Sequence, residues 1–278
     1  MAVTRRKFLV SSAAAAGYAL AVRPISAATI ETGSAGLDVA YISIPVPGGT
    51  MPAYMAAPAK AGGLPTVIVV HEIFGVHEHI RDVCRRLAKS GFRAVAPNLY
   101  HRHGDATKYT EIEPLIKEIV SKTTDDEVFG DLDATLAYLN AQPGKPTGVG
   151  ITGFCWGGRV VWMYSAHSAG IKAGVAWYGR LVPRPDAPPS TTKQPIDVAV
   201  DLKAPVLGLY GEKDEGIPLD SVEKMRAALQ AAGKPSEIKV YEGAQHGFHA
   251  DYRPSYLESA AQDGYKRMVD WFRKNGVA

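Results

Sequence analysis

Cysteine is nearly absent from this chain of 278 residues: Cys84 and Cys155 are its only two, and they form no C-x-x-C pair. A disulfide scaffold needs a denser set, and a dithiol redox centre or a zinc ribbon needs the close spacing, so those classes are excluded. No segment approaches the roughly 18 uninterrupted apolar residues of a membrane-spanning helix. An excess of one charge is missing too, since 31 Lys and Arg stand against 28 Asp and Glu for a formal net charge of +3. The first 28 residues hold four of the basic residues (Arg5, Arg6, Lys7 and Arg23) and no acid, so the rest of the chain carries −1. That leaves no basic surplus with which to attract nucleic acid or an anionic membrane. What is present, 46% hydrophobic and 21% charged residues, suits a globular chain long enough to bury a substantial core as one domain.

The N-terminus reads differently from the remainder. Thr4-Arg5-Arg6-Lys7-Phe8-Leu9 places paired arginines ahead of an alanine-rich apolar stretch that runs to Val22 and ends in the small-residue sequence Ile25-Ser26-Ala27. This arrangement predicts a twin-arginine secretion signal over residues 1–28, with the export machinery as a partner, the periplasm as the destination and residues 29–278 as the mature domain. Cys84 falls on the apolar face of a helical pattern with Ile80, Val83, Leu87 and Ala88, which predicts a small buried side chain rather than half of a disulfide.

From Thr66 onward, short β-rich runs alternate with helical ones, the signature of an α/β fold with a mainly parallel sheet covered on both faces. Strands are expected at Thr66–His71, Phe92–Pro97, Gly148–Gly153, Ala173–Tyr178, Pro205–Gly211 and Glu237–Glu242. Helices are expected at Glu78–Ser90, Asp125–Asn140, Trp156–Ala166, Leu219–Ala232 and Tyr256–Asn275. Asp38–Ile44 and Thr50–Ala57, joined by Pro47-Gly48-Gly49, predict an antiparallel hairpin in front of them. Arg180–Val200 carries five prolines and is expected to be a long irregular surface loop, which either covers a site at the sheet's carboxyl edge or is a solvated excursion away from it.

The chemistry concentrates in Gly153-Phe154-Cys155-Trp156-Gly157-Gly158. A predicted strand, a glycine-flanked nucleophile and a predicted helix form the G-x-[nucleophile]-x-G elbow, with cysteine where serine usually stands. The helix start places the Trp156 N–H toward a developing oxyanion and favours a thiolate. Asp214 and His246 each follow a predicted strand, in the order nucleophile, acid, histidine that α/β-hydrolases use. Cys155, Asp214 and His246 are therefore expected to converge as a catalytic triad. A competing reading gathers His71, Glu72, His77 and His79, with His101 and His103, into a metal cluster. Their spacing departs from the helical H-E-x-x-H motif, and the histidines are expected to be turn or surface residues.

The runs Gly153-Phe154-Cys155-Trp156-Gly157-Gly158 and His71-Glu72-Ile73-Phe74-Gly75 are similar to those of the dienelactone hydrolase (carboxymethylenebutenolidase) family, and the resemblance extends from about residue 36 to 275. It implies an α/β-hydrolase fold, a monomer, no cofactor or metal, and an ester or lactone as substrate. It also implies that Glu72 contacts the resting cysteine and helps to generate the thiolate, and that Ile73 donates the second oxyanion-hole N–H. Arg102 matches a family arginine that holds the substrate carboxylate, while the second such arginine, four residues after the histidine, is replaced by Ala250; Arg253 stands nearby. Tyr100, Phe74 and Phe248 complete the expected substrate-binding set. A broader esterase or thioesterase would share the triad, whereas a non-hydrolytic binding protein would retain Cys155 without turnover.

Overall fold

Thr66–Val70 (β3), Val149–Phe154 (β5), Ala173–Trp177 (β6) and Val206–Gly211 (β7) are buried at every position. A strand that lacks an exposed face must lie inside a sheet covered on both sides, and parallel sheets are built that way. The computed structural model describes residues 30–59, 62–183 and 192–278, so the expected secretion signal and residues 184–191 of the proline-rich loop lie outside the described residues. Leu37–Val46 (β1) and Gly49–Pro58 (β2) form the expected hairpin, and Arg93–Pro97 (β4) and Glu237–Tyr241 (β8) complete eight strands in the order β1-β2-β4-β3-β5-β6-β7-β8. The first two pairings are antiparallel and the remainder parallel.

Among the described residues the longer helices are α1 (Glu78–Lys89), α2 (Asp125–Ala141), α3 (Trp156–His167), α4 (Leu219–Ala231) and α5 (Glu258–Lys274), which cover the sheet. Their ends follow local chemistry. Thr124 accepts the Glu127 N–H while the Glu127 side chain accepts the Thr124 N–H, a capping box that starts α2. On α1 the residues Ile80, Val83, Cys84, Leu87 and Ala88 are buried, and Cys84 is a free thiol whose pKa burial pushes up. Each large apolar side chain sealed this way stabilises the fold by about 1.5–3 kcal/mol. Within Arg180–Val200 the expectation of wholly irregular chain is corrected: Pro195–Asp201 is a 3-10 helix. Pro195 sits at its first turn, where a missing N–H costs nothing.

The order of β3, β4 and β5 positions the site. The chain leaves β3 toward β4 on one side and returns to place β5 on the other, so the crevice beyond the carboxyl ends of β3 and β5 is a switch point, where open α/β sheets bind ligands. His71–His77 follows β3 and Cys155 follows β5. Tyr178, Asp214 and His246 come after β6, β7 and β8 at the same edge of the sheet.

Candidate active site

Cys155 ends β5 and caps α3 with φ +56° and ψ −114°, a conformation that ordinary side chains avoid. Its neighbours make the turn possible. A Cβ on Gly153 would lie 2.4 Å from the Gly157 carbonyl oxygen, and one on Gly157 would lie 2.5 Å from that of Val70. Only glycine fits at either position, and the Cys155 N–H donates to the Trp177 carbonyl at 3.0 Å, which locks the elbow onto β6. Cys155 is 7% exposed, so the thiol is shielded yet reachable. Trp156 opens α3, and its N–H is one of those that the helix leaves without an intrahelical partner.

The three sequence-predicted triad residues are brought together. His246 Nδ1 lies 2.8 Å from Asp214 Oδ2, and the histidine side chain also interacts with Cys155. Asp214 is 3% exposed and its second oxygen accepts the N–H groups of Gly216 at 2.9 Å and Ile217 at 3.1 Å, so the carboxylate is held by the loop that β7 leads into. Burial works to lower the His246 pKa, but the charges of Asp214 and Cys155 outweigh it and hold the imidazole well above its ordinary range. That arrangement favours an imidazolium beside Cys155.

Glu72 is fully buried after β3, and three donors hold it: His77 Nε2 at 3.2 Å, the Tyr252 hydroxyl at 2.5 Å and Arg253 Nη2 at 3.0 Å. Burial would raise its pKa, yet Arg253 and then His77 drive it far below the usual carboxylate range. Its hydrogen bonds therefore go to these three, not to the cysteine contact implied by the resemblance. Arg253 is itself buried, packs over the Phe74 ring at 5.3 Å and feels the Cys155 charge. Ile73 is buried beside Glu72 and packs in a small cluster with Tyr100 and Trp156. The Tyr100 ring lies 4.7 Å from His71 and 4.9 Å from Trp156. Phe248 is a core ring at 5.3 Å from Tyr178, which places it behind His246 as packing.

Arg102 has another partner. Both of its terminal nitrogens bind Asp131 of α2, at 2.6 and 2.8 Å, and His101 adds a third contact to that fully buried carboxylate at 3.2 Å. His71 and His79 depart from the expectation of turn or surface residues, while His101 and His103 do lie in a turn. His71 is buried, donating from Nδ1 to the Glu72 carbonyl at 2.7 Å and accepting the Leu99 N–H on Nε2 at 3.2 Å. His79 is buried against Asp251 at 3.1 Å, while His77 is tied to Glu72 and His103 to Glu127. Among the described residues no group of three or more His, Cys, Asp or Glu side chains is placed to hold a metal ion. Tyr178 and Tyr252 are site residues that the sequence did not single out, because they meet His246 and Glu72 from distant positions in the chain.

The sheet order and the strained elbow at its carboxyl edge define an α/β-hydrolase. The family model for the "Dienelactone hydrolase family" matches residues 51–276. A "Putative carboxymethylenebutenolidase" of Methylorubrum extorquens is 53% identical over 98% of this chain and 94% of its own. A "Probable 2-oxo-3-(5-oxofuran-2-ylidene)propanoate lactonase" of Bradyrhizobium is 31% identical over 84% of this chain and 93% of its own. The crystal structure of "Putative Dienelactone Hydrolase" from Klebsiella pneumoniae superposes with a TM-score of 0.82 at 54% identity, covering 86% of this chain and 99% of that one. The chain belongs to the dienelactone hydrolase family and is a hydrolase.

Proposed function

We propose that the protein hydrolyses ester or lactone bonds through a Cys155-His246-Asp214 triad and a thioester intermediate. The observation that carries this reading is the strained Cys155 at the start of α3, in electrostatic contact with a His246 that Asp214 holds from behind. The lactonase name of the Bradyrhizobium relative supports the bond type. The thiolate attacks the carbonyl carbon, and the N–H groups of Ile73 and Trp156 receive the oxyanion. His246 gives its Nε2 proton to the leaving oxygen, which for a lactone stays tethered as the ring opens. The neutral imidazole then takes a proton from water, whose oxygen attacks the thioester and releases Cys155.

Glu72 and Arg253 form a neutral pair beside the sulfur, and Glu72 joins in generating the thiolate once a substrate disturbs that pair. A second reading, uncharged small esters as the preferred substrates, is favoured by one observation: Asp131 already engages Arg102 and Glu72 already engages Arg253. Replacing Cys155 by alanine tests the nucleophile. Hydrolysis across an ester and lactone panel is expected to vanish while the melting temperature holds, and retained turnover above a few per cent would remove the assignment. Export by the twin-arginine route is part of the proposal. Changing Arg5 and Arg6 to lysine is expected to trap the protein in the cytoplasm.

A further inference from the structure

Only two non-glycine residues among those described have positive φ: Cys155 at +56° and Tyr178 at +38°. Strain of this kind persists where surrounding structure enforces it, and it clusters at functional sites. Tyr178 is pinned at the carboxyl end of β6, next to the Trp177 carbonyl that anchors the elbow, by its own N–H donating to Leu209 at 2.8 Å. Its ring meets His246 edge-on at 5.1 Å and Phe248 at 5.3 Å, and no part of it is exposed. Its hydroxyl has no hydrogen-bond partner among the described residues. Buried hydroxyls are normally satisfied, so an unpartnered one beside a nucleophile calls for a ligand. The charges of Glu72, Arg253, Tyr252 and Cys155 all act on this phenol. Because Arg102 and Arg253 already face carboxylates, the unmet donor here is a hydroxyl and not a cation.

We infer that Tyr178 is a specificity-determining residue whose hydroxyl donates to an uncharged acceptor oxygen, a keto or ring carbonyl, carried on the acyl part of the substrate. This rests on the ester or lactone hydrolase reading. The orientation follows from the packing, since the ring lies against the histidine that serves the leaving group while its hydroxyl feels the buried Glu72–Arg253 pair on the acyl side. An acyl chain with an oxygen in that pocket meets the phenol, and a plain alkyl chain leaves the donor buried and unmet.

The experiment compares p-nitrophenyl levulinate with p-nitrophenyl valerate. The chains have equal length and differ in one ketone oxygen, and each rate is normalised to its alkaline hydrolysis. Wild-type protein is expected to favour the levulinate ester by roughly 10-fold in kcat/KM, the scale of one hydrogen bond weighed against an unmet buried donor. Tyr178→Phe keeps the ring and the backbone preference while removing the hydroxyl. It is expected to collapse that ratio toward unity without lowering the melting temperature. A wild-type ratio near unity overturns the inference with no variant needed, and so does a ratio that survives in the phenylalanine variant. Turnover of both esters that persists in Cys155→Ala would instead sink the hydrolase reading, a separate failure.

Discussion

Asp214→Asn isolates the most constrained feature of the site. The Asp214 Oδ1 accepts two backbone N–H groups, from Gly216 at 2.9 Å and Ile217 at 3.1 Å, while Oδ2 faces His246 Nδ1 at 2.8 Å. Asparagine has the same shape and one acceptor. Its carbonyl must stay on the two N–H groups, so its NH2 turns to His246 and can only donate. Nδ1 must then be bare and the ring proton moves to Nε2, facing Cys155, where it blocks transfer of the thiol proton. The negative charge that raises the His246 pKa is lost as well. A comparable wrong-tautomer variant in a serine protease triad loses about 10⁴-fold. Here a loss on the order of 10³- to 10⁴-fold in kcat/KM is expected, about 4–5.5 kcal/mol of transition-state stabilisation. Asp214→Ala, which imposes no tautomer, is expected to lose no more than the asparagine variant. Steady-state hydrolysis of a p-nitrophenyl ester near neutral pH reads the effect, with melting temperature as the folding control. A folded asparagine variant within 10-fold of wild type would refute the reasoning.

Three other outcomes rest on buried charged and titratable groups. Arg253→Met strands the fully buried Glu72 with Tyr252 and His77 alone and is expected to cost about 3–5 kcal/mol, most of which Glu72→Gln in the same chain restores. Urea denaturation of the full double-mutant cycle measures that coupling, and additive losses would contradict it. Arg102→Ala leaves buried Asp131 with His101 and is expected to lower stability by about 1–3 kcal/mol while the ratio of anionic to neutral ester turnover holds. A collapse of that ratio would return Arg102 to the substrate carboxylate. His71 is held neutral, and burial lowers its pKa to about 4. Between its unfolded value near 6.5 and about 4 the unfolded chain binds the extra proton, so this contribution is full above about pH 6.5 and is lost as pH falls through that window. Stability measured against pH is expected to fall less steeply across that range in His71→Gln, and an identical slope would count against it.

Much of the architecture was legible in order and spacing. The strands and helices begin and end within a few residues of their expected positions, because fully buried apolar runs and amphipathic periods are local properties. The elbow was legible for the same reason: Gly153 and Gly157 are demanded by backbone contacts of a turn written in consecutive residues. The order Cys155, Asp214, His246 placed all three at strand ends before any coordinate was known, since a parallel sheet delivers every following loop to one edge. Pro195 misled, because proline ends a helix from within but opens one without penalty.

What the sequence could not decide is which charge faces which. Arg102 lies 29 positions from Asp131, and Glu72 lies 181 from Arg253. Either arginine suits a substrate carboxylate by type alone. Only the packing of α2 against Arg102 and of the loop after β3 against Arg253 decided that both meet protein carboxylates. The strain at Tyr178 and its unpartnered hydroxyl are likewise tertiary facts. A residue's type sets what it is able to donate, but whether a partner is within reach depends on how strands far apart in sequence are laid side by side.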